Sequence, residues 1–127
     1  MAYNNSNYFN MIFGFSGVPT TTHFASPGIG ATNAAARALI APVACQLVSI
    51  ELLADTAPGG IVIDTYTVYD DGVTTGAAAT MTGAAFDGNW AGNVNIAALS
   101  LISVYFTTDG ATAAQEIGIS LAFLINE

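Results

Sequence analysis

Two adjacent carboxylates, Asp70 and Asp71, lie in the segment TVYDDGVTTG of a chain with few charged residues. Carboxylate pairs are suited to metal binding and to acid–base catalysis. A calcium ion takes about six to eight oxygen ligands, however, and residues 72–81 contain no further acid. Asp-Gly between two β-rich runs is typical of a type I′ hairpin, whose two central residues both need a positive φ. We therefore predict a turn at Asp71-Gly72, not a metal or catalytic site.

The same dipeptide occurs twice more, as Asp87-Gly88 in AFDGNWAG and as Asp109-Gly110 in TTDGAT. Both lie beside β-rich runs, so both are predicted to be turns, the second of them joining the last two strands. Three turns explain three Asp-Gly dipeptides better than three active sites do.

The remaining reactive side chains are isolated in the sequence. His23 is the only histidine and lies in a loop-like segment, and Cys45 is the only cysteine and lies in the apolar run PVACQLVSI. A catalytic triad needs a nucleophile, a base and an orienting group, which these residues do not supply. Glu51, Asp64 and Glu116 are the acids that a glycosidase-like pair would have to use. We expect no enzymatic activity, no metal and no cofactor.

Trp90 lies in the polar segment DGNWAGN. An indole in this setting can stack on a sugar or a partner protein, or it can fold back over the end of the domain. Tyr66, Tyr69 and Asp70 join Trp90 as candidate contact residues for a ligand or receptor.

The charge of the chain excludes one large class of partner. Nine acids stand against one basic residue, Arg37, which gives a formal net charge of −8. Phosphate backbones bind proteins mainly through lysine and arginine, so we expect no nucleic-acid binding. An anionic membrane surface would repel the chain as well. A spanning helix needs about 20 apolar residues, and the best run is interrupted by Pro42, Gln46 and Glu51.

The chain is nevertheless apolar, with 53% hydrophobic and 8% charged residues. Charged residues usually make up about a quarter of a soluble domain. Burial between subunits explains such an excess, because obligate interfaces resemble a core cut in half. We therefore expect a homo-oligomer.

Short runs of Val, Ile, Thr, Tyr and Phe between Gly, Pro, Asn and Asp predict an all-β, single-domain antiparallel sandwich over residues 1–127. In the third strand, Val48, Ile50 and Leu52 are predicted to face the core. In the last strand, alternate residues from Ile117 to Ile125 share one apolar face. The stretch 30–42 is predicted to hold a short strand or a helical turn. The eight predicted strands are 8–16, 36–41, 45–54, 61–69, 73–82, 93–98, 100–107 and 116–125.

Residues 46–125 resemble the small jelly-roll modules on the virion surface of tailed bacteriophages. The resemblance lies in the loop Thr56–Gly60, the hairpin Asp71–Val73, the segment Val94–Phe106 and the alternating strand Ile117–Ile125. It implies a jelly roll that forms a homotrimer and acts as a capsid decoration or cement protein. The alternative is a receptor- or glycan-binding knob of a fibre or spike.

The resemblance also implies partners and a location. The partner would be the major capsid protein or a fibre shaft, and the chain would lie on the outer surface of a virion assembled in the host cytoplasm. Residues 1–35 would form an N-terminal strand plus an arm. The aromatic residues of this region are either the attachment segment or part of the first strand; they are Tyr3, Tyr8, Phe9, Phe13 and Phe15.

Overall fold

A computed structural model describes residues 7–17, 23–28, 37–113 and 115–126, and these residues form strands and loops without an α-helix. No helix in these ranges is long and apolar enough to cross a membrane. The strands are β1 (Tyr8–Gly17), β2 (His23–Phe24), β3 (Ser26–Pro27), β4 (Leu39–Ile40), β5 (Cys45–Ala54), β6 (Ile63–Asp70), β7 (Val73–Thr82), β8 (Asp87–Ile96), β9 (Leu101–Thr108) and β10 (Gln115–Ile125).

The strands form two antiparallel sheets. The first has the order β3-β1-β10-β5-β8, and the second has the order β2-β9-β6-β7, with β4 also paired to β9. The prediction of an all-β sandwich is confirmed. The predicted strand at 36–41 is reduced to the two residues of β4, which pair with Ile102 and Leu101.

The core lies between the two sheets and follows the alternation of the strands. Ile117, Ile119, Leu121 and Phe123 of β10 are fully buried, as the sequence pattern predicts. In the middle of the core, the ring of Phe15 meets Phe106 edge-on at 5.6 Å. Burial of each such side chain contributes about 1.5–3 kcal/mol to the free energy of unfolding.

The predicted inward face of β5 is wrong at Val48. Ser49 pairs with Ala122 and Leu47 pairs with Phe123, so Val48 is an extra residue that forms a bulge. The bulge reverses the alternation of the strand. Leu47 is consequently fully buried, whereas Val48 is only half-buried and Ile50 remains in the core.

The first predicted turn lies where the sequence places it. Asp70 pairs with Val73 across a two-residue loop, and Asp71 and Gly72 have φ values of 50° and 80°. These are the positive dihedral angles of a type I′ turn.

The other two Asp-Gly predictions need correction. Asp87 and Gly88 are the first residues of β8, and residues 83–86 make the connection from β7 instead. Asp109 and Gly110 lie in the loop between β9 and β10. They form no hairpin, because β9 and β10 belong to different sheets.

The N-terminal aromatic residues from Tyr8 onwards form the first strand, which is one of the two roles predicted for them. Residues of β1 pair with β10 from Tyr8 to Gly17. Phe13 and Phe15 are fully buried, and Phe9 stacks on Phe123 at 4.9 Å. Tyr8 alone of these four is largely exposed, at 53%. Tyr3 lies outside the described residues.

Candidate functional site

The prediction that Tyr66 contacts a ligand or receptor is wrong, because its side chain is fully buried in the core. It lies on the inward face of β6, which also carries Asp64 and Val68. Its ring lies 5.2 Å from that of Phe106. Burial, and next the charge of Asp64, raise the pKa of the Tyr66 hydroxyl well above its usual value.

Asp70 also points toward the interior, at the opposite end of β6 from Asp64. Its Oδ1 atom is buried and has no hydrogen-bond partner. Burial, and next the charge of Asp70, raise the pKa of the Cys45 thiol. Cys45 is itself fully buried, so its thiol has the character of a core side chain and not of a nucleophile.

Trp90 folds back onto the protein, which was one of its two predicted roles. It lies on β8 opposite Ile50 and packs against the buried core while remaining half-buried. A Cβ atom added at Gly92 would lie 2.6 Å from the indole ring. The absence of a side chain at Gly92 therefore leaves room for the indole ring of Trp90.

Tyr69 lies on the outer face of the second sheet, where it belongs to an aromatic cluster. Its ring is 5.4 Å from Tyr105 on β9 and 6.0 Å from Phe24 on β2, and Phe24 and Tyr105 are 4.9 Å apart. All three side chains are half-buried. Tyr105 and Phe24 were not predicted as contact residues. The alternation of β9 places Tyr105 on the face opposite Phe106, but β2 carries no signal in the sequence.

A shallow groove of about 460 Å³ crosses the outer face of the first sheet. Its apolar lining includes Ile12 and Leu53, which are 48% and 69% exposed. Gly118 pairs with both Gly14 and Leu53, so the floor between the two aliphatic side chains is flat. Glu51 and Asp87 line the same groove.

The acids proposed as a possible glycosidase pair do not come together. Asp64 points into the core, whereas Glu51 and Glu116 are exposed. Glu51 pairs with Ser120, which is separated from Glu116 by four positions, or about 13 Å along the strand. Within the described ranges, no group of three or more His, Cys, Asp and Glu side chains is arranged to hold a metal ion.

A second polar feature lies inside the protein, where β6 begins. Asp64 and Gln115 are 0% and 4% exposed. Asp64 Oδ2 accepts hydrogen bonds from Thr112 Oγ1 at 2.9 Å and from Gln115 Nε2 at 3.5 Å. This cluster could not be predicted from the sequence, because Thr112 and Gln115 are brought to Asp64 only by the packing of the two sheets.

No protein-family model matches the chain, and no curated protein matches its sequence.

Proposed function

We propose that this chain is a jelly-roll subunit of a phage virion surface that acts through surface contacts, as a capsid decoration or cement protein. The observation that carries the proposal is the strand order. In it β1-β10-β5-β8 faces β2-β9-β6-β7, and the last strand returns to lie beside the first. This order supports a jelly roll, which consists of two Greek keys, and double-sheet jelly rolls occur in viral capsid proteins as well as in lectins.

The outer face of the first sheet is the contact surface that we propose. Ile12 and Leu53 are exposed there beside the glycine pair Gly14–Gly118. A flat face with exposed aliphatic side chains is suited to burial against another subunit or against a capsid lattice. Assembly into a trimer would also account for the apolar composition.

Two measurements test this proposal. Light scattering should give the mass of a trimer and not that of a 12.9 kDa monomer. Capsids that carry the protein should withstand higher temperature and pressure than capsids without it. A monomer at micromolar concentration, or equal stability of the two kinds of capsid, would contradict the cement role.

The alternative function is a receptor- or glycan-binding knob, and the aromatic cluster of Phe24, Tyr69 and Tyr105 favours it. Half-exposed aromatic rings offer faces on which sugars stack. Binding on a glycan array should then disappear in Tyr69→Ala and Tyr105→Ala. A blank array at high protein concentration would exclude this alternative.

A further inference from the structure

Three almost completely buried side chains each have one oxygen atom without a hydrogen-bond partner, and two of them are neighbours on the inward face of β6. The atoms are Oδ1 of Asp64, Oε1 of Gln115 and the hydroxyl of Tyr66. Their residues are almost completely enclosed, with Asp64 and Tyr66 at 0% exposure and Gln115 at 4%. An unpaired buried polar group costs about 1–3 kcal/mol, so three such atoms together need an explanation.

The hydrogen bonds that do form leave only oxygen atoms without partners. The hydroxyl of Thr112 and the amide nitrogen of Gln115 both donate to Asp64 Oδ2. The side-chain carbonyl oxygen of Gln115 has no partner, and neither has Oδ1 of the Asp64 carboxylate. Neither donor carries a charge, so the negative charge of Asp64 is not balanced by these contacts.

Burial of an ionised carboxylate is costly, and a paired positive charge or a coordinated metal ion offsets that cost. We propose that Asp64 Oδ1 and Gln115 Oε1 bind a hard cation of the calcium class, with the Tyr66 hydroxyl as a neighbouring neutral ligand. The ion would hold the loop of Thr112 and the start of β10 against β6. This would stabilise one end of the sandwich.

The types of ligand select the class of metal. The cluster offers a carboxylate, an amide oxygen and hydroxyls, and it contains no imidazole or thiolate, so zinc and copper are unsuitable. Calcium accepts carboxylate and amide oxygens in flexible geometry and completes its shell with water, whereas magnesium demands a nearly ideal octahedron. A site with one carboxylate should be weak, with a dissociation constant of about 10⁻⁴ to 10⁻³ M.

The test begins with protein freed of metal by a chelator and then dialysed. Titration with CaCl₂ at constant ionic strength should raise the melting temperature by about 5–10 °C at 10 mM. Asp64→Asn should abolish the shift, while Asp87→Asn, which removes an exposed acid from the groove, should retain it. Terbium, a calcium substitute, should luminesce on excitation of tyrosine in the Asp87→Asn variant and not in Asp64→Asn.

Equal calcium shifts in the two variants would overturn the proposal, because they would show non-specific binding to an acidic protein. The absence of any shift in the natural chain would overturn it as well. If Asp64→Asn does not fold, Gln115→Glu decides, because it places a second carboxylate beside Asp64. This variant should be destabilised in chelator and restored by calcium, with a dissociation constant at least tenfold lower than that of the natural chain. Destabilisation that calcium does not reverse would exclude a cation site.

Discussion

Asp71 and Leu101 exchange two hydrogen bonds at the end of the β6–β9 pair. The backbone N–H of Asp71 donates to the carbonyl of Leu101 at 2.9 Å. The N–H of Leu101 donates to Oδ1 of the Asp71 side chain at 2.7 Å. The carboxylate thus takes the place of a backbone carbonyl in the next rung of the ladder, beyond the pair Asp70–Ile102.

The same arrangement occurs at two other strand ends. Asp109 N–H donates to the carbonyl of Ile63 at 3.2 Å, and Ile63 N–H donates to Asp109 Oδ1 at 2.7 Å. Asp55 and Glu116 are joined in the same way, at 3.0 and 2.8 Å. Each aspartate directly follows the last residue of a strand. Three of the nine acids therefore act as strand caps, which is a structural role.

Substitutions of Asp71 distinguish the contribution of its side-chain hydrogen bond to stability from the contribution of its tolerance of positive φ. Asp71→Asn keeps both the acceptor oxygen and tolerance of positive φ, so stability should be nearly unchanged. Asp71→Gly keeps only the tolerance of positive φ and should lose about 1 kcal/mol. Asp71→Ala loses both and should cost about 1 kcal/mol more. The free energies of unfolding in urea check this order, and equal values for Asn and Ala would contradict it.

Gly88 allows the chain to cross from one sheet to the other. A Cβ atom at this position would lie 2.0 Å from the carbonyl oxygen of Thr80, whereas one at Gly118 would meet nothing within 4 Å. Gly88→Ala should therefore destabilise the protein by about 3 kcal/mol, and Gly118→Ala should have little effect on the free energy of unfolding. Similar denaturation midpoints for the two variants would show that β8 does not approach β7 in this way.

The sequence was sufficient to predict the strands whose alternation is uninterrupted, such as β10 with Ile117 and Ile119. Prediction from the sequence failed where a local feature of the backbone, such as a bulge or a close approach of two strands, changes the pattern. The bulge at Val48 changes which residues of β5 face inward on its N-terminal side, and nothing in the residue types marks it. Asp87-Gly88 has the composition of a turn, but its glycine is needed for a close approach within a strand.

The contact residues show a similar limit. Alternation from Val68 places Tyr66 in the core, so its burial could have been predicted from β6 alone. The grouping of Tyr69 with Tyr105 and Phe24 depends on which strands become neighbours, and this is a property of the whole fold. Short elements such as β2 have too few residues to show a period.

Tyr66 should make the protein sensitive to alkali. Burial raises its pKa in the folded state above the unfolded value of 10.0. This contribution to stability is fully present below pH 10.0 and is lost progressively as the pH rises above it. Tyr66→Phe keeps the ring and removes the ionisable group, so the variant should lose less stability between pH 9 and about 11.5 than the natural chain. Urea unfolding across this pH range measures the stability of both proteins. Equal losses of stability in the variant and the natural chain would show that Tyr66 is not the group responsible.

The groove residue Leu53 provides the sharpest test of assembly. Its side chain is 69% exposed on β5, which lies between β10 and β8 in the first sheet, while Ile61 is 95% exposed in the loop between β5 and β6. Leu53→Asp and Ile61→Asp add the same charge and remove similar apolar area, so neither should unfold the subunit. If the outer face of the first sheet is the interface, Leu53→Asp should raise the dissociation constant of the oligomer at least 100-fold, because a charge is buried without a partner. Ile61→Asp should leave the constant within about threefold of the natural value, since a rim charge contributes little.

Analytical ultracentrifugation over a dilution series measures both constants. Dissociation by Ile61→Asp alone would move the interface to the end of the sandwich that carries the β5–β6 loop.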